Sequence, residues 1–137
     1  CTALPSRHHD RGGGTILVTF NGHGQVKLHS IWDDGMLNRE LGLHEGPNFS
    51  ADPAAGQAAQ RLAQDITPAL ATQWQAGSPE QWATEGHVLG VQVGYAGIPP
   101  AGIDADGAYE AKAWPIIRQQ LERAGVRLAL ILNSRFR

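Results

Sequence analysis

The stretch Leu28-His29-Ser30-Ile31-Trp32-Asp33 follows a glycine-rich, strand-like segment, where a helix is predicted to begin. His29 and Asp33 are four residues apart, so on a helix their imidazole and carboxylate project from one face as neighbours. Zinc accepts nitrogen and oxygen ligands together, and both side chains can therefore reach one zinc ion. Taken alone, such a pair is more often an exposed helix pair that contributes a few tenths of a kcal/mol. The spacing leaves a metal site and a surface pair open.

A short β-hairpin is predicted immediately before this stretch. Residues 15–20 are rich in β-branched and aromatic side chains, and Asn21-Gly22 follows them as a strong turn signal. The return strand is predicted over residues 25–28. The helix after it is predicted over residues 30–40, with its apolar side facing the core.

Helical periodicity continues through the middle of the chain. Apolar residues recur at helical spacing over residues 55–66, and Pro68 is predicted to bend or restart that helix. A second start signal follows, because Ser78 can cap a helix, Pro79 fits its first turn and Gln81 completes a capping box. Two helices are therefore predicted in this region.

The C-terminal third is predicted to contain a loop and two helices. Residues 98–107 are rich in proline and glycine and predict a loop long enough to be mobile. An apolar stripe over residues 109–121 predicts a helix kinked at Pro115, and Gly125 lies where that helix should end. Residues 126–132 suggest a last short helix. The chain is thus predicted to be mainly α with one small β-hairpin.

Length and composition restrict the class of protein. The 137 residues, 42% of them hydrophobic, suffice for one globular domain with a sizeable core. No apolar run approaches the roughly 20 residues that a membrane span needs. The net charge of -2 gives no broad basic field, so nucleic-acid binding would depend on local cations, bound metal or base stacking. A chain that opens at Cys1, its one cysteine, is expected to be processed, truncated or cut from a longer polypeptide.

Several segments, taken in register, resemble one protein family. They are Asp10-Arg11-Gly12-Gly13, the strand after it, Leu28-His29-Ser30-Ile31-Trp32-Asp33, Trp82-Ala83-Thr84-Glu85, and Ala124-Gly125-Val126-Arg127-Leu128-Ala129 with Leu132-Asn133. Their order and spacing resemble the C-terminal half of the S1/P1 nucleases, the zinc-dependent single-strand-specific nucleases of fungi, plants and bacteria. The resemblance implies a mainly helical fold similar to that of bacterial phospholipase C. Residues 1–137 would then form the C-terminal portion of a single zinc-dependent nuclease domain.

The resemblance also implies a cluster of three zinc ions in the intact family. A His-x-x-x-Asp pair at this position helps to bind one of those ions in family members, which points to His29 and Asp33 as metal ligands. The other ligands lie further toward the N-terminus in the family. At most one site is therefore expected to be partly retained in this chain.

Two positions depart from the family pattern. Gly14 stands where members usually have an asparagine after the paired glycines. A histidine ligand expected at or near Leu4 is missing, so either that ligand is lost or His8 or His9 replaces it. We favour loss, because related loops carry extra histidines that bind no metal.

The resemblance implies an endonuclease that hydrolyses phosphodiester bonds of single-stranded DNA and RNA to 5′-phosphate products. It further implies a secreted or periplasmic protein, monomeric in its intact form and without a membrane partner. Two ligands rarely hold zinc tightly, and the chain alone is therefore expected to be inactive. Two alternatives stay open, a phospholipase C-like phosphodiesterase and a non-catalytic zinc-binding remnant.

Three further residues near the motifs have structural interpretations. Trp32 is expected to pack inward and fix the helix that presents the two ligands, with base stacking the lesser alternative. Asp34 is expected to be a solvated helix residue. Arg127 is expected to form an internal ion pair near the last helix instead of contacting phosphate.

Overall fold

The computed structural model describes residues 10–44, 53–96, 98 and 103–136. Two antiparallel strands, β1 (Leu17–Phe20) and β2 (His23–Lys27), come first. A continuous helical segment follows, made of α1 (Leu28–Ser30), a π-helical turn (Ile31–Gly35) and α2 (Met36–Leu41). The remaining elements are α3 (Pro53–Gln64), α4 (Pro68–Gln75), α5 (Pro79–Leu89), a second π-helical turn (Gly90–Gly94) and α6 (Ala108–Arg135). The fold is mainly α with one small β-hairpin, which confirms the predicted class.

The hairpin is tighter than the sequence pattern indicates. Asn21 and Gly22 both have left-handed backbone angles, with φ of 54° and 74°, as a two-residue type I′ turn requires. Because this turn pairs Phe20 directly with His23, the return strand begins at His23 and ends at Lys27, so the predicted limits of residues 25–28 were wrong. The helix then begins at Leu28, two residues earlier than predicted, and includes His29.

The predicted start of the first strand, at residue 15, was also wrong. Residues 10–15 form a turn in which the Thr15 N–H donates to the Asp10 carbonyl at 3.1 Å. The Ile16 N–H donates to the Gly13 carbonyl at 3.2 Å, so strand pairing begins only at Leu17. The glycine-rich segment thus folds back beside the hairpin instead of extending it.

The core lies between the hairpin, the first helical segment and α6. Its buried members, all below 9% exposure, are Val18, Phe20, Leu28, Ile31, Met36, Ile98, Ala105, Ala113 and Ile117. On the other edge of β1, Thr19 bonds through its backbone to Ile103 and Ala105, at 2.9 and 2.7 Å. The described part of the predicted 98–107 loop is therefore tied to the hairpin.

The starts of α4 and α5 follow the sequence signals. The Ser78 side chain accepts from the Gln81 N–H, and the Gln81 side chain accepts from the Ser78 N–H, which confirms the capping box of α5. Helix α3 ends at Gln64 and α4 begins at Pro68, so the chain restarts its helix there. No helix in the described part of the chain has both the length and the apolar character that spanning a bilayer requires.

Helix α6 packs on α4 and α5 through a group of charged and aromatic side chains. Glu85 of α5 forms ion pairs with Arg123 and Arg127 of α6. The two guanidinium groups lie over the rings of Trp74 and Trp82, at 5.7 and 4.9 Å from the ring centroids. Arg127 also donates from Nε to the Trp74 carbonyl at 3.1 Å. The expected internal ion pair of Arg127 is confirmed.

Helix α6 is one helix of 28 residues, so the predicted end at Gly125 and the separate helix over residues 126–132 were wrong. The helix also passes through Pro115 without ending. A glycine inside a helix costs about 1 kcal/mol relative to alanine. The ion pairs of Arg123 and Arg127 on either side of Gly125, and the burial of Val126 next to it, favour the continued helix.

The C-terminal third of α6 keeps a broad apolar surface exposed. Leu128 is 57% exposed, and Ile131 and Leu132 are 43% and 45% exposed. Phe136, just past the helix, is 83% exposed. Such contiguous apolar surface is uncommon in soluble domains and is the kind expected where helices lack a packing partner.

Candidate metal centre

His29 and Asp33 lie side by side on one face of the first helical segment. His29 Nε2 is 3.0 Å from Asp33 Oδ2, and the two side chains are 53% and 63% exposed. The predicted one-face arrangement is therefore present, and both groups are open to an ion from solvent. That the pair binds a metal stays a prediction.

A backbone carbonyl determines which nitrogen of His29 carries hydrogen. His29 Nδ1 is 3.2 Å from the Gly12 carbonyl oxygen, and because a carbonyl oxygen only accepts, Nδ1 is the donor. In the neutral ring Nε2 then has no hydrogen, and its lone pair faces the Asp33 carboxylate. Two acceptors 3.0 Å apart are stabilised by a cation, either a proton on Nε2 or a metal ion. The arrangement presents one nitrogen and one oxygen donor to the same cation.

In the segment that contains the π-helical turn Ile31–Gly35, the two donors face solvent and the apolar side chains face the core. The Met36 N–H donates to the Ile31 carbonyl five residues back, instead of four as in an α-helix. Ile31 and Met36 are both fully buried, at 1% and 0% exposure, whereas His29 and Asp33 face solvent. Turns of this kind inside helices are frequent at functional sites.

Trp32 fixes the same helical segment from within. Its Nε1 donates to the Tyr109 hydroxyl at 2.8 Å, and that hydroxyl donates to the Gly94 carbonyl at 2.7 Å. The ring is half-buried against the core. This supports the interpretation that Trp32 packs inward. Sequence reasoning missed the role of the Tyr109 hydroxyl, because the helical stripe identified Tyr109 only as an apolar position.

Burial raises the pKa of the Tyr109 hydroxyl to about 12, although the Trp32 N–H acts in the opposite direction. Unfolded tyrosine ionises near pH 10.0, so the folded state binds the proton more tightly between those values. We expect the free energy of unfolding to fall by about 1 to 2 kcal/mol from pH 10 to pH 12 through this group. Urea unfolding at each pH, compared with Tyr109→Phe, isolates the contribution. Equal pH slopes in the two proteins would contradict it.

The turn that contacts His29 is held by Asp10, which is 8% exposed. Asp10 Oδ1 accepts from the Gly12 and Gly13 N–H groups at 3.0 and 3.3 Å, and from the Tyr95 hydroxyl at 3.4 Å. Asp10 Oδ2 is buried without a hydrogen-bond partner among the described residues. Sequence reasoning used Asp10 only as part of a motif. An aspartate two residues before glycine is a signal for this kind of side-chain turn.

The imidazole nitrogen of His29 and the carboxylate oxygen of Asp33 are donor types that zinc accepts. Zinc in proteins takes three or four protein ligands, and imidazole nitrogen with carboxylate oxygen is an accepted combination. Over residues 10–44, 53–96, 98 and 103–136, no group of three or more His, Cys, Asp or Glu side chains is placed to hold a metal ion. The partly retained zinc site stays a prediction. Leu4, His8 and His9 lie outside the described residues.

The neighbouring positions add no donor. Asp34 is exposed, as expected for a solvated helix residue. Gly14 has no side chain to offer where the family has asparagine, and its N–H donates to the Arg11 carbonyl at 3.4 Å within the turn. The role of His29 and Asp33 as metal ligands stays a prediction.

Comparison with known proteins identifies the family of this chain. The family model for S1/P1 nuclease matches residues 4–137. Endonuclease 5 of Arabidopsis thaliana is 27% identical over 133 residues, an alignment that covers 93% of this chain and 43% of that protein. The chain thus spans less than half the length of this relative. No solved structure matches the chain significantly. Because the family model covers nearly the whole sequence, the chain belongs to the S1/P1 nuclease family.

Proposed function

We propose that this chain carries part of the active domain of a zinc-dependent endonuclease that hydrolyses phosphodiester bonds of single-stranded DNA and RNA to 5′-phosphate products. The observation that carries the proposal is the pairing of His29 Nε2 with Asp33 Oδ2 at 3.0 Å. In a member of this nuclease family, a nitrogen and an oxygen donor facing one point in solvent are suited to a bound cation. Family membership supports a nuclease, and the donor pair supports zinc.

The proposed roles of the residues follow from their contacts. His29 and Asp33 would hold one zinc ion, and the Gly12 carbonyl would keep the His29 ring turned with Nε2 toward that ion. Bound zinc ions supply Lewis-acid chemistry, lowering the pKa of water and neutralising charge on phosphate and leaving group. His29 and Asp33 do not themselves transfer protons in this scheme. They position the ion.

The proposed substrate is single-stranded nucleic acid. With a net charge of -2, the chain has no overall attraction for a polyanion. Bound cations would then supply the local positive charge that phosphate recognition needs. The extracellular or periplasmic location and the monomeric state expected from the resemblance are part of the same proposal.

One alternative is favoured by a specific observation. The described residues bring together two donors, and no third acidic, cysteine or histidine side chain joins them. A site of that size binds zinc weakly and cannot supply clustered-metal chemistry. A non-catalytic zinc-binding remnant is therefore the second candidate for the 137-residue chain by itself.

The test uses the protein expressed from the complete reading frame that contains this chain, alongside the 137-residue chain itself. Each is incubated with zinc and with labelled single-stranded oligonucleotides, duplex DNA or phosphatidylcholine vesicles. We expect the complete protein to cleave single strands to 5′-phosphate products, with loss of activity in chelator and recovery on adding zinc. Turnover of phosphatidylcholine alone would favour a phospholipase C-like enzyme. Zinc binding without hydrolysis by either protein would favour the remnant.

A further inference from the structure

The turn beside His29 has an unusual backbone conformation. Three successive residues, Arg11, Gly12 and Gly13, have left-handed φ angles of 56°, 68° and 93°. Glycine adopts such angles readily, but a non-glycine residue such as Arg11 does so at a cost. A turn of this kind keeps one conformation only when its surroundings fix it. Here the Asp10 carboxylate is the group that does so.

The Asp10 side chain lies in the concave face of this turn. Its Oδ1 accepts from the Gly12 and Gly13 N–H groups at 3.0 and 3.3 Å, so two successive backbone donors converge on one oxygen. Successive N–H groups of this kind form a concavity that favours an anionic oxygen. Hydrogen bonds to a charged acceptor are about twice as strong as neutral ones. The carboxylate therefore fixes the orientation of both peptide groups.

The same turn contacts the imidazole directly. The Gly12 carbonyl accepts from His29 Nδ1 at 3.2 Å, and the Gly13 carbonyl accepts from the His29 backbone N–H at 3.4 Å. The turn is also packed closely against the helix, since a Cβ added to Gly13 would lie 3.3 Å from the His29 backbone nitrogen. Asp10 and His29 are thus joined through Gly12, whose N–H bonds the one and whose carbonyl bonds the other.

We propose that Asp10 is a positioning residue that sets the tautomer and orientation of His29 through the Gly12 peptide. Asp10 contacts neither the imidazole nor, in this scheme, the zinc ion. The inference rests on the proposed function where it concerns zinc, but its effect on the imidazole does not require a metal. Among the described residues the buried Asp10 Oδ2 has no hydrogen-bond partner, and a buried acceptor left without one costs free energy. Asp10 therefore stabilises the conformation of this turn through Oδ1, whereas its buried Oδ2 lowers the free energy of unfolding of the chain.

The test compares three variants of the 137-residue chain. Asp10→Ala removes the acceptor, Asp10→Asn keeps an oxygen at the Oδ1 position, and Tyr95→Phe removes the longest bond to that oxygen while leaving the carboxylate in place. Nitrogen-15 NMR of the imidazole reports which ring nitrogen of His29 carries hydrogen. Competition with a chromophoric chelator reports the zinc affinity.

We expect Asp10→Ala to lose the preference for hydrogen on Nδ1 and to bind zinc about 10- to 100-fold more weakly. Asp10→Asn and Tyr95→Phe should keep the Nδ1-protonated tautomer and stay within about threefold of the parent affinity. Wild-type tautomer and affinity in Asp10→Ala would overturn the inference. If circular dichroism shows that Asp10→Ala is unfolded, Asp10→Ser replaces it, since a neutral hydroxyl bonds these N–H groups more weakly than a carboxylate does, and the same criteria apply.

The two proposals fail in different ways. If the parent chain and His29→Ala bind zinc equally, the metal site of the proposed function is wrong, and the imidazole spectra still decide the role of Asp10. If the parent chain binds zinc through His29 but Asp10→Ala changes neither the tautomer nor the affinity, the metal site stands. In that case only the role of Asp10 is rejected.

Discussion

Replacing His29 with alanine is expected to weaken zinc binding by this chain at least about 100-fold, because it removes one of only two donors that the described residues bring together. A carboxylate alone on an exposed helix face holds zinc poorly, since it competes with water for the ion. Isothermal titration with zinc alone, at a protein concentration comparable with the dissociation constant, measures the change.

Matched controls separate this site from non-specific binding. His23 is exposed on β2, and His23→Ala should leave zinc affinity unchanged. Asp33→Asn should weaken binding as His29→Ala does, whereas Asp34→Asn, one residue away and exposed, should have little effect. Equal zinc affinity in the parent chain and His29→Ala would exclude the site. If Asp34→Asn lost as much zinc affinity as Asp33→Asn, the assignment of Asp33 as the oxygen ligand would be wrong.

Truncation of Ile31 to alanine is expected to lower the free energy of unfolding by about 2 to 5 kcal/mol. Ile31 is 1% exposed and belongs to the core between the hairpin, the first helical segment and α6, so the lost side chain would leave a cavity. A change of this size is a large fraction of the stability of a small domain. Urea unfolding followed by circular dichroism measures it.

Leu128→Ala provides the comparison for this core truncation. Leu128 is 57% exposed on α6, and shortening it should change the free energy of unfolding by less than about 0.5 kcal/mol. If Ile31→Ala were as mild as Leu128→Ala, the first helical segment would not be packed as described. The same result would mean that burial of Ile31 does not hold His29 and Asp33 on the outer face of this segment.

Local signals predicted the parts of the fold that depend on neighbouring residues. Asn21-Gly22 predicted the hairpin, and the capping box at Ser78 predicted the start of α5, because both act through contacts within a few residues. Gly125 wrongly predicted the end of a helix, because the contacts that keep α6 helical there come from distant residues. The helix continues there through ion pairs to Glu85, about 40 positions earlier in the chain, and sequence spacing alone does not reveal such a partner.

In the candidate site, too, the local features were predictable from sequence and the long-range contacts were not. The spacing of His29 and Asp33 predicted their common face, since it depends only on helix geometry. The contact between Gly12 and the imidazole was not predictable, because it joins residues 17 positions apart through a turn with left-handed angles. The loss of the histidine ligand, favoured over its replacement by His8 or His9, stays a prediction, since these residues lie outside the described part of the chain.

The π-helical turn at Ile31–Gly35 lets one short stretch of backbone bury Ile31 and Met36 while His29 and Asp33 face solvent. In a regular α-helix, residues five apart lie about 140° from each other around the axis, so Ile31 and Met36 would not share an inner face. With the hydrogen bond from Met36 to Ile31, both reach the interior while the imidazole and carboxylate keep their outward alignment. Deleting a single residue from this turn would place Ile31 and Met36 four positions apart, the spacing at which a regular α-helix keeps two side chains on one face. The π-helical turn therefore lets this segment carry one more residue than a regular α-helix would, while both core side chains stay inside and the imidazole and carboxylate stay outside.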